Sequence, residues 1–303
     1  MRAGVIVPQG WTGEYDGVDA PEAWARTVAA ARRADVLGFD SIWVFDHFHT
    51  TPEPTESITF EAFTVLAALA PLTTEARLGQ LVTCAAYRNP ALLAKMISTL
   101  DTVSDGRAEL GLGAGWKRDE WLAYGYGFPS LRVRQERLRD TLEIVTRMLG
   151  PGRATYEGTD VSVDGAFNEP KPVQRPGVPI IVGGNGRDVT WRLAARYADE
   201  LNLDNVPPDE LDDANAVLAS RCEEIGRDPA SLALSVHIWW EALDPSDRRR
   251  RIDLLSAYAE HRVDRVMALV RDAATSDEAV DAFADDCRAA GLELGAATPA
   301  SAF

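Results

Sequence analysis

Short apolar runs alternate with longer helical segments almost from one end of this chain to the other, and that alternation constrains the fold more than any other feature. Strands are predicted at Ala3–Val7, Ser41–Phe45, Leu78–Thr83, Ala108–Gly113, Pro179–Val182, Glu200–Leu203, Leu232–Trp239 and Arg265–Leu269. Most are apolar on both faces, the pattern of parallel strands covered by helices. Helices are predicted between them at Pro21–Leu37, Thr59–Ala70, Pro90–Val103, Leu131–Leu149, Gly186–Tyr197, Pro208–Ile225, Arg248–His261 and Ser276–Ala290. Their ends carry the expected punctuation: Asp19-Ala20-Pro21 opens the first and Gly38 closes it, and Asn89-Pro90 opens the third. Strands each trailed by a helix predict an α/β fold, a (β/α)8 TIM barrel. A doubly wound open sheet reads the same locally and stays the rival.

The spacing is uneven in one place. Between the fourth and fifth barrel strands lies an insertion, about residues 114–178, that holds a helix, a hairpin at Ala154–Val163 and a Pro-rich stretch ending Glu169-Pro170-Lys171-Pro172. Extra material at the C-terminal end of a barrel strand reads as a lid or substrate loop. With no repeat, low-complexity tract or linker, residues 1–303 read as one domain.

The net charge of −16 disfavours nucleic acid and anionic membrane as partners and leaves a small-molecule substrate. Three widely spaced cysteines, Cys84, Cys222 and Cys287, give no disulfide framework and no zinc pattern. The first residues read as a strand, not a signal peptide, and no run is long enough for a membrane helix. These features predict a cytoplasmic protein.

Chemistry is concentrated at predicted strand ends. Trp43-Val44-Phe45-Asp46-His47-Phe48-His49 closes the second strand, where barrel side chains line an active site. His47 is the candidate catalytic residue, because imidazole exchanges protons near neutral pH. The same run reads as His-x-His, but the fifth and sixth strands carry no further histidine, so no metal site is expected. Ile180-Ile181-Val182-Gly183-Gly184-Asn185-Gly186-Arg187-Asp188 ends a buried strand in a Gly-rich turn at a helix start, which suits a phosphate. Leu110-Gly111-Leu112-Gly113-Ala114-Gly115-Trp116 lacks the spacing of a dinucleotide fingerprint. Its glycines either clear a floor for a flat ligand flanked by Trp116 or admit a bulged strand. Cys84 reads as a small buried residue. Trp239 and Trp240, ending the seventh strand, wall a pocket or pack a core.

These residues resemble the luciferase-like monooxygenase superfamily. The resemblance runs in order over residues 35–205: Phe39 through His47, Val82-Thr83-Cys84 with Arg88-Asn89-Pro90, Gly106-Arg107 through Trp116, Glu120, Ala123-Tyr124-Gly125, and Val178 through Gly184 with Leu193 through Asp199. It implies a flavin-type cofactor across the barrel mouth, and the chain is most similar to the branch using the deazaflavin coenzyme F420. In that branch a histidine matching His47 lies at the deazaflavin ring. A non-proline cis peptide bulge, here Gln80–Leu81, supports the ring from behind. The implied cofactor set is Asp46, Gln80, Leu81, Thr83, Gly113, Val182, Gly183, Gly184, Asn185, Gly186 and Arg187, with the phosphate near Gly183–Arg187; Trp116 and Trp240 would border the substrate. The implied reaction is hydride transfer to or from a small organic molecule. An FMN-dependent monooxygenase fed by a separate reductase and a non-catalytic flavin-binding barrel are the alternatives. The family also implies a homodimer. One departure stands out: the sugar-phosphate dehydrogenases of this branch carry a glutamate where this chain has Trp116, and Glu120, four residues on, reads as structural.

Overall fold

Residues 1–239 and 246–295 are described by a computed structural model. Its strands are β1 (Arg2–Ile6), β2 (Ser41–Val44), β3 (Arg77–Gln80), β4 (Thr83–Cys84), β5 (Ala108–Gly113), β6 (Ala154–Tyr156), β7 (Val163–Ala166), β8 (Ile180–Gly183), β9 (Glu200–Asp204), β10 (Ala233–Ile238) and β11 (Arg265–Leu269). Every pairing among β1, β2, β3, β5, β8, β9, β10 and β11 is parallel, and β1 pairs with both β2 and β11. The sheet therefore closes into an eight-stranded (β/α)8 barrel, which removes the open-sheet alternative. Short β4 continues the line of β3 after a break and pairs with β5.

Strand periodicity sorts the side chains into two layers. Val5, Ile42, Leu78, Leu110, Val182, Leu203, Val236 and Val266 point outward and are buried beneath the helices. Ile6, Trp43, Ile181, Met267 and Leu269 point inward and fill the barrel. The floor of the barrel is charged. Arg265, 1% exposed, donates to Asp40 at 2.9 Å, Glu109 at 2.8 Å and Glu200 at 2.7 Å.

The helices are α1 (Ala20–Val36), α2 (Ala62–Leu69), α3 (Pro90–Val103), α4 (Arg118–Ala123), α5 (Leu131–Leu149), α6 (Val189–Tyr197), α7 (Leu211–Glu223), α8 (Arg248–Glu260) and α9 (Asp277–Ala289). Caps fix several starts: Asp19 accepts from the Glu22 amide, and Asn89 from those of Ala91 and Leu92. The second helix begins at Ala62, later than Thr59, because the Glu61 carboxylate caps the amides of Phe63 and Thr64. The helix expected from Gly186 begins at Val189. The short α4 was not expected at all.

The material between β5 and β8 divides in two. Helix α5 packs between α3 and α6 in the outer ring, as the crossover helix of the fourth unit. The β6–β7 hairpin lies against α5, where Tyr156 Oη and the Asp160 amide both donate to Asp140. The part that borders the barrel mouth is the segment carrying Ala114–Lys117 and the first turns of α5.

Candidate functional site

A cleft of about 310 Å³ opens at the C-terminal end of the barrel. Its walls include Asp46, His47, Leu81, Gly113, Trp116, Gly183, Gly184, Asn185 and Gly186, so strand ends far apart in sequence meet at one rim. Gln80 and Thr83 do not line it; both are fully buried, and Thr83 Oγ1 lies 3.4 Å from Gln80 Oε1. Val182 was expected at the cofactor, but its side chain points outward into the barrel–helix layer, as the alternation from Ile181 requires. Arg187 does not line the cleft; its guanidinium pairs with Asp213 and lies over the Trp191 ring. Trp240 falls outside the described residues.

The cis bond lies at Leu81–Val82, one residue beyond the expected Gln80–Leu81. The ladder explains the shift: Gln80 still pairs with Val44, and the Leu81 amide still donates to the Val44 carbonyl at 2.8 Å, so the chain leaves the sheet only afterwards. The glycines of β5 and β8 make room for this departure. A Cβ on Gly111 would lie 2.0 Å from the Gln80 carbonyl oxygen, and one on Gly113 or Gly183 would lie 2.7 Å from a Val82 methyl. The bulge thus accounts for the glycine spacing that pattern alone left open.

His47 is held from three sides. The Gln9 side chain bonds both backbone groups of Phe45, at 2.9 and 2.8 Å, and so fixes the end of β2. Trp11, from the same loop after β1, stacks on the imidazole with centroids 4.2 Å apart and planes 3° apart. On the ring's edge, Nδ1 lies 2.9 Å from Glu120 Oε2. Glu120 is fully buried on α4, where it also accepts from the Phe48 amide at 2.6 Å and from Tyr87 Oη at 2.9 Å. Burial raises the carboxyl pKa of Glu120, but the bond and charge of His47 and the bonds from Phe48 and Tyr87 outweigh it and hold the value below the usual range. Burial and the same carboxylate push the Tyr87 phenol up.

Asp46 is saturated: it accepts from the Cys84 amide at 3.0 Å and from Arg88 at 2.7 and 2.9 Å. Burial pushes the Cys84 thiol up to about 12, so it is protonated near neutral pH and no ready nucleophile. His49 Nδ1 lies 3.0 Å from the Thr50 carbonyl oxygen. Among the described residues no group of three or more metal-ligating side chains gathers.

Opposite His47, Asn185 locks the glycine turn. Its Nδ2 donates to the Asp204 carbonyl and its Oδ1 accepts the Asp204 amide, both at 2.9 Å. The amides of Asn185, Gly186 and Arg187 donate to no acceptor among the described residues. They stand at the start of α6, the positive end of a helix dipole. His237 and Trp239 complete the wall on the β10 side; burial lowers the His237 pKa, opposed by nearby Asp204. Sequence reasoning missed Trp11, Tyr87, His237 and Asp204 as cleft residues and took Glu120 as structural. Asp204 and His237, at the C-terminal ends of β9 and β10, carried the same strand-end signal as His47.

A barrel whose mouth joins a stacked histidine to a glycine-lined helix start forms one cleft with a proton-exchanging group at one side and, among the described residues, unpaired amides at the other. The family model described as luciferase-like monooxygenase matches residues 1–294, and the chain belongs to that family of enzymes. An uncharacterized protein of Mycobacterium tuberculosis is 32% identical over 226 residues, covering 69% of this chain and 78% of that protein. The F420-dependent glucose-6-phosphate dehydrogenase of Kineococcus radiotolerans is 34% identical over 173 residues, 56% of this chain and 49% of that one. Among solved structures, an F420-dependent secondary alcohol dehydrogenase in complex with an F420–acetone adduct superposes with a TM-score of 0.80 at 21% identity, covering 95% of this chain and 98% of that one.

Proposed function

We propose that this chain is an F420-dependent oxidoreductase that transfers a hydride between the deazaflavin and a small organic substrate. The observation that carries the reading is the single cleft joining His47 to the turn at Gly183–Gly186. Identity to an F420-dependent dehydrogenase adds support from sequence.

The residues present fit such a group. Free amides at 185–187 suit a phosphate, as the helix start does. Leu81 and Val82, backed by Gly113 and Gly183, give a side-chain-poor apolar wall for a flat ring. When bound, the deazaflavin supplies a carbon centre that gives or takes a hydride. The chain supplies the rest. His47, fixed by Trp11 and Glu120, holds or takes a proton at the reacting group. The substrate carries a reducible C=O, C=N or C=C bond, or is the corresponding alcohol. We read residues 1–303 as one domain, acting in the cytoplasm as a homodimer, in line with three buried free cysteines and the family.

Spectral titration of the purified protein with F420 and with FMN tests the cofactor. Binding of F420 in preference to FMN is expected. Tight FMN binding with none of F420 would overturn the reading and make the chain an FMN-dependent monooxygenase that needs a separate reductase.

A further inference from the structure

We infer that Glu120 is the positioning residue of His47: it locks the imidazole in the tautomer with the proton on Nδ1, so that Nε2 alone exchanges a proton with the cleft. The importance of this for turnover rests on the function proposed above; the tautomer itself does not.

Three donors converge on one carboxylate. The Phe48 amide can only donate, and it occupies Oε1 at 2.6 Å. The Tyr87 hydroxyl donates to Oε2 at 2.9 Å. His47 Nδ1 meets that same Oε2 at 2.9 Å. An ionised carboxylate has no proton to give, so Nδ1 must carry one. The held-down pKa of Glu120 agrees with the ionised form. Turning the ring over would set a carbon against Oε2 and lose the bond inside a fully buried contact. Trp11, stacked at 4.2 Å, keeps the ring plane in place. The proton on Nδ1 therefore stays whether the ring is neutral or charged. Neutral His47 shows the cleft a lone pair that accepts a hydrogen bond; charged His47 shows it a donor.

The carboxylate comes from α4, outside the regular barrel units. The same segment also grips the loop through Tyr124 Oη, which donates to the Phe48 carbonyl at 3.1 Å.

The isosteric variant Glu120→Gln separates positioning from packing. The Phe48 amide keeps the amide oxygen, because the reverse orientation sets donor against donor. The new NH2 group then faces His47 Nδ1 and makes it an acceptor. The ring proton moves to Nε2 with the shape of the site unchanged.

The test is nitrogen NMR of the full-length protein labelled in its histidines, the His47 signals being assigned by their loss in His47→Asn. In the neutral ring of the wild type, Nδ1 is expected protonated and Nε2 bare. In E120Q the two resonances exchange character. In Tyr87→Phe, which removes one donor and leaves the carboxylate, the wild-type pattern stays. A wild-type ring protonated at Nε2, or an E120Q ring with the wild-type pattern, overturns the inference; the wild-type spectrum decides even if E120Q fails to fold. No cofactor is needed, so a failed F420 titration leaves this result standing. With a substrate in hand, E120Q should lower kcat far more than it changes KM. The loss should approach the roughly 10⁴-fold seen when the orienting carboxylate of a serine-protease triad becomes an amide.

Discussion

The barrel carries a buried ionic group at each end, and the two ends use burial in opposite ways. At the floor, Arg265 is enclosed by Asp40, Glu109 and Glu200, so its charge is answered wholly from within. At the mouth, Glu120 is just as buried, but its histidine partner keeps a second nitrogen turned to the cleft. The carboxyl pKa values record the contrast. Burial, helped by the charge of Glu109, raises that of Glu200 in spite of Arg265. At Glu120 burial is outweighed by His47 and two further donors, and the value falls. A closed cluster serves stability; an open one serves chemistry.

The sharpest way to break the comparison is to remove one partner at each end. His47→Ala should lower turnover by about 10²–10⁴-fold, the usual worth of a positioned acid–base group, with a smaller loss of stability in urea than the floor variant because Phe48 and Tyr87 still donate to Glu120. Arg265→Met should do the reverse. Leaving buried Glu200 without its cation, while Asp40 and Glu109 keep Arg2 and Arg77, should cost about 3–5 kcal/mol in urea unfolding, with turnover of the folded fraction near the wild-type value. If the floor variant lost activity without losing stability, the division of labour would fail.

Between these ends lies the bulge. Gly183→Ala places a methyl against Val82 and should cost about 1–3 kcal/mol, with weaker cofactor binding by titration. Next comes acidity. Glu200, with its pKa raised on folding, favours the folded state at low pH and loses that contribution as pH rises through its folded value. Glu120, with its pKa lowered, contributes above its unfolded value and loses that as pH falls through the folded one. Glu200→Gln should therefore flatten the fall in stability on the alkaline side of the carboxylate range, and Glu120→Gln the fall on the acid side; unfolding curves across pH check both. The smallest effect is at Arg187. Its exposed pair with Asp213 is worth about 0–1 kcal/mol, and Arg187→Ala should change stability little and leave F420 affinity nearly as it was.

The barrel was legible because its signals are local and repeated. Short strands apolar on both faces and capped helices announce themselves residue by residue, as Asn89-Pro90 does at α3. The site was legible only where it coincides with those signals, at His47 beyond β2 and the glycines beyond β8. Glu120 could not be assigned, because a glutamate in a six-residue helix becomes a histidine partner only when that helix folds over a loop 72 residues earlier. Arg187 shows the converse: nothing local predicts its pairing with Asp213, 26 residues on. The glycines of β5 stayed ambiguous because their neighbour is a backbone departure on another strand.

The carboxylate that sets the histidine is carried by α4, outside the repeating strand–helix units, and this has an evolutionary consequence. Barrel strands tolerate little, since each residue is tied to two neighbours and a layer of helices. The residues from Trp116 to Ser130 answer to fewer of these ties. Exchanging that stretch could reset proton traffic at the imidazole, or hand its partner's role to another residue, while the scaffold beneath kept its register. Chemical diversification and structural conservation would then fall to separate parts of the same gene.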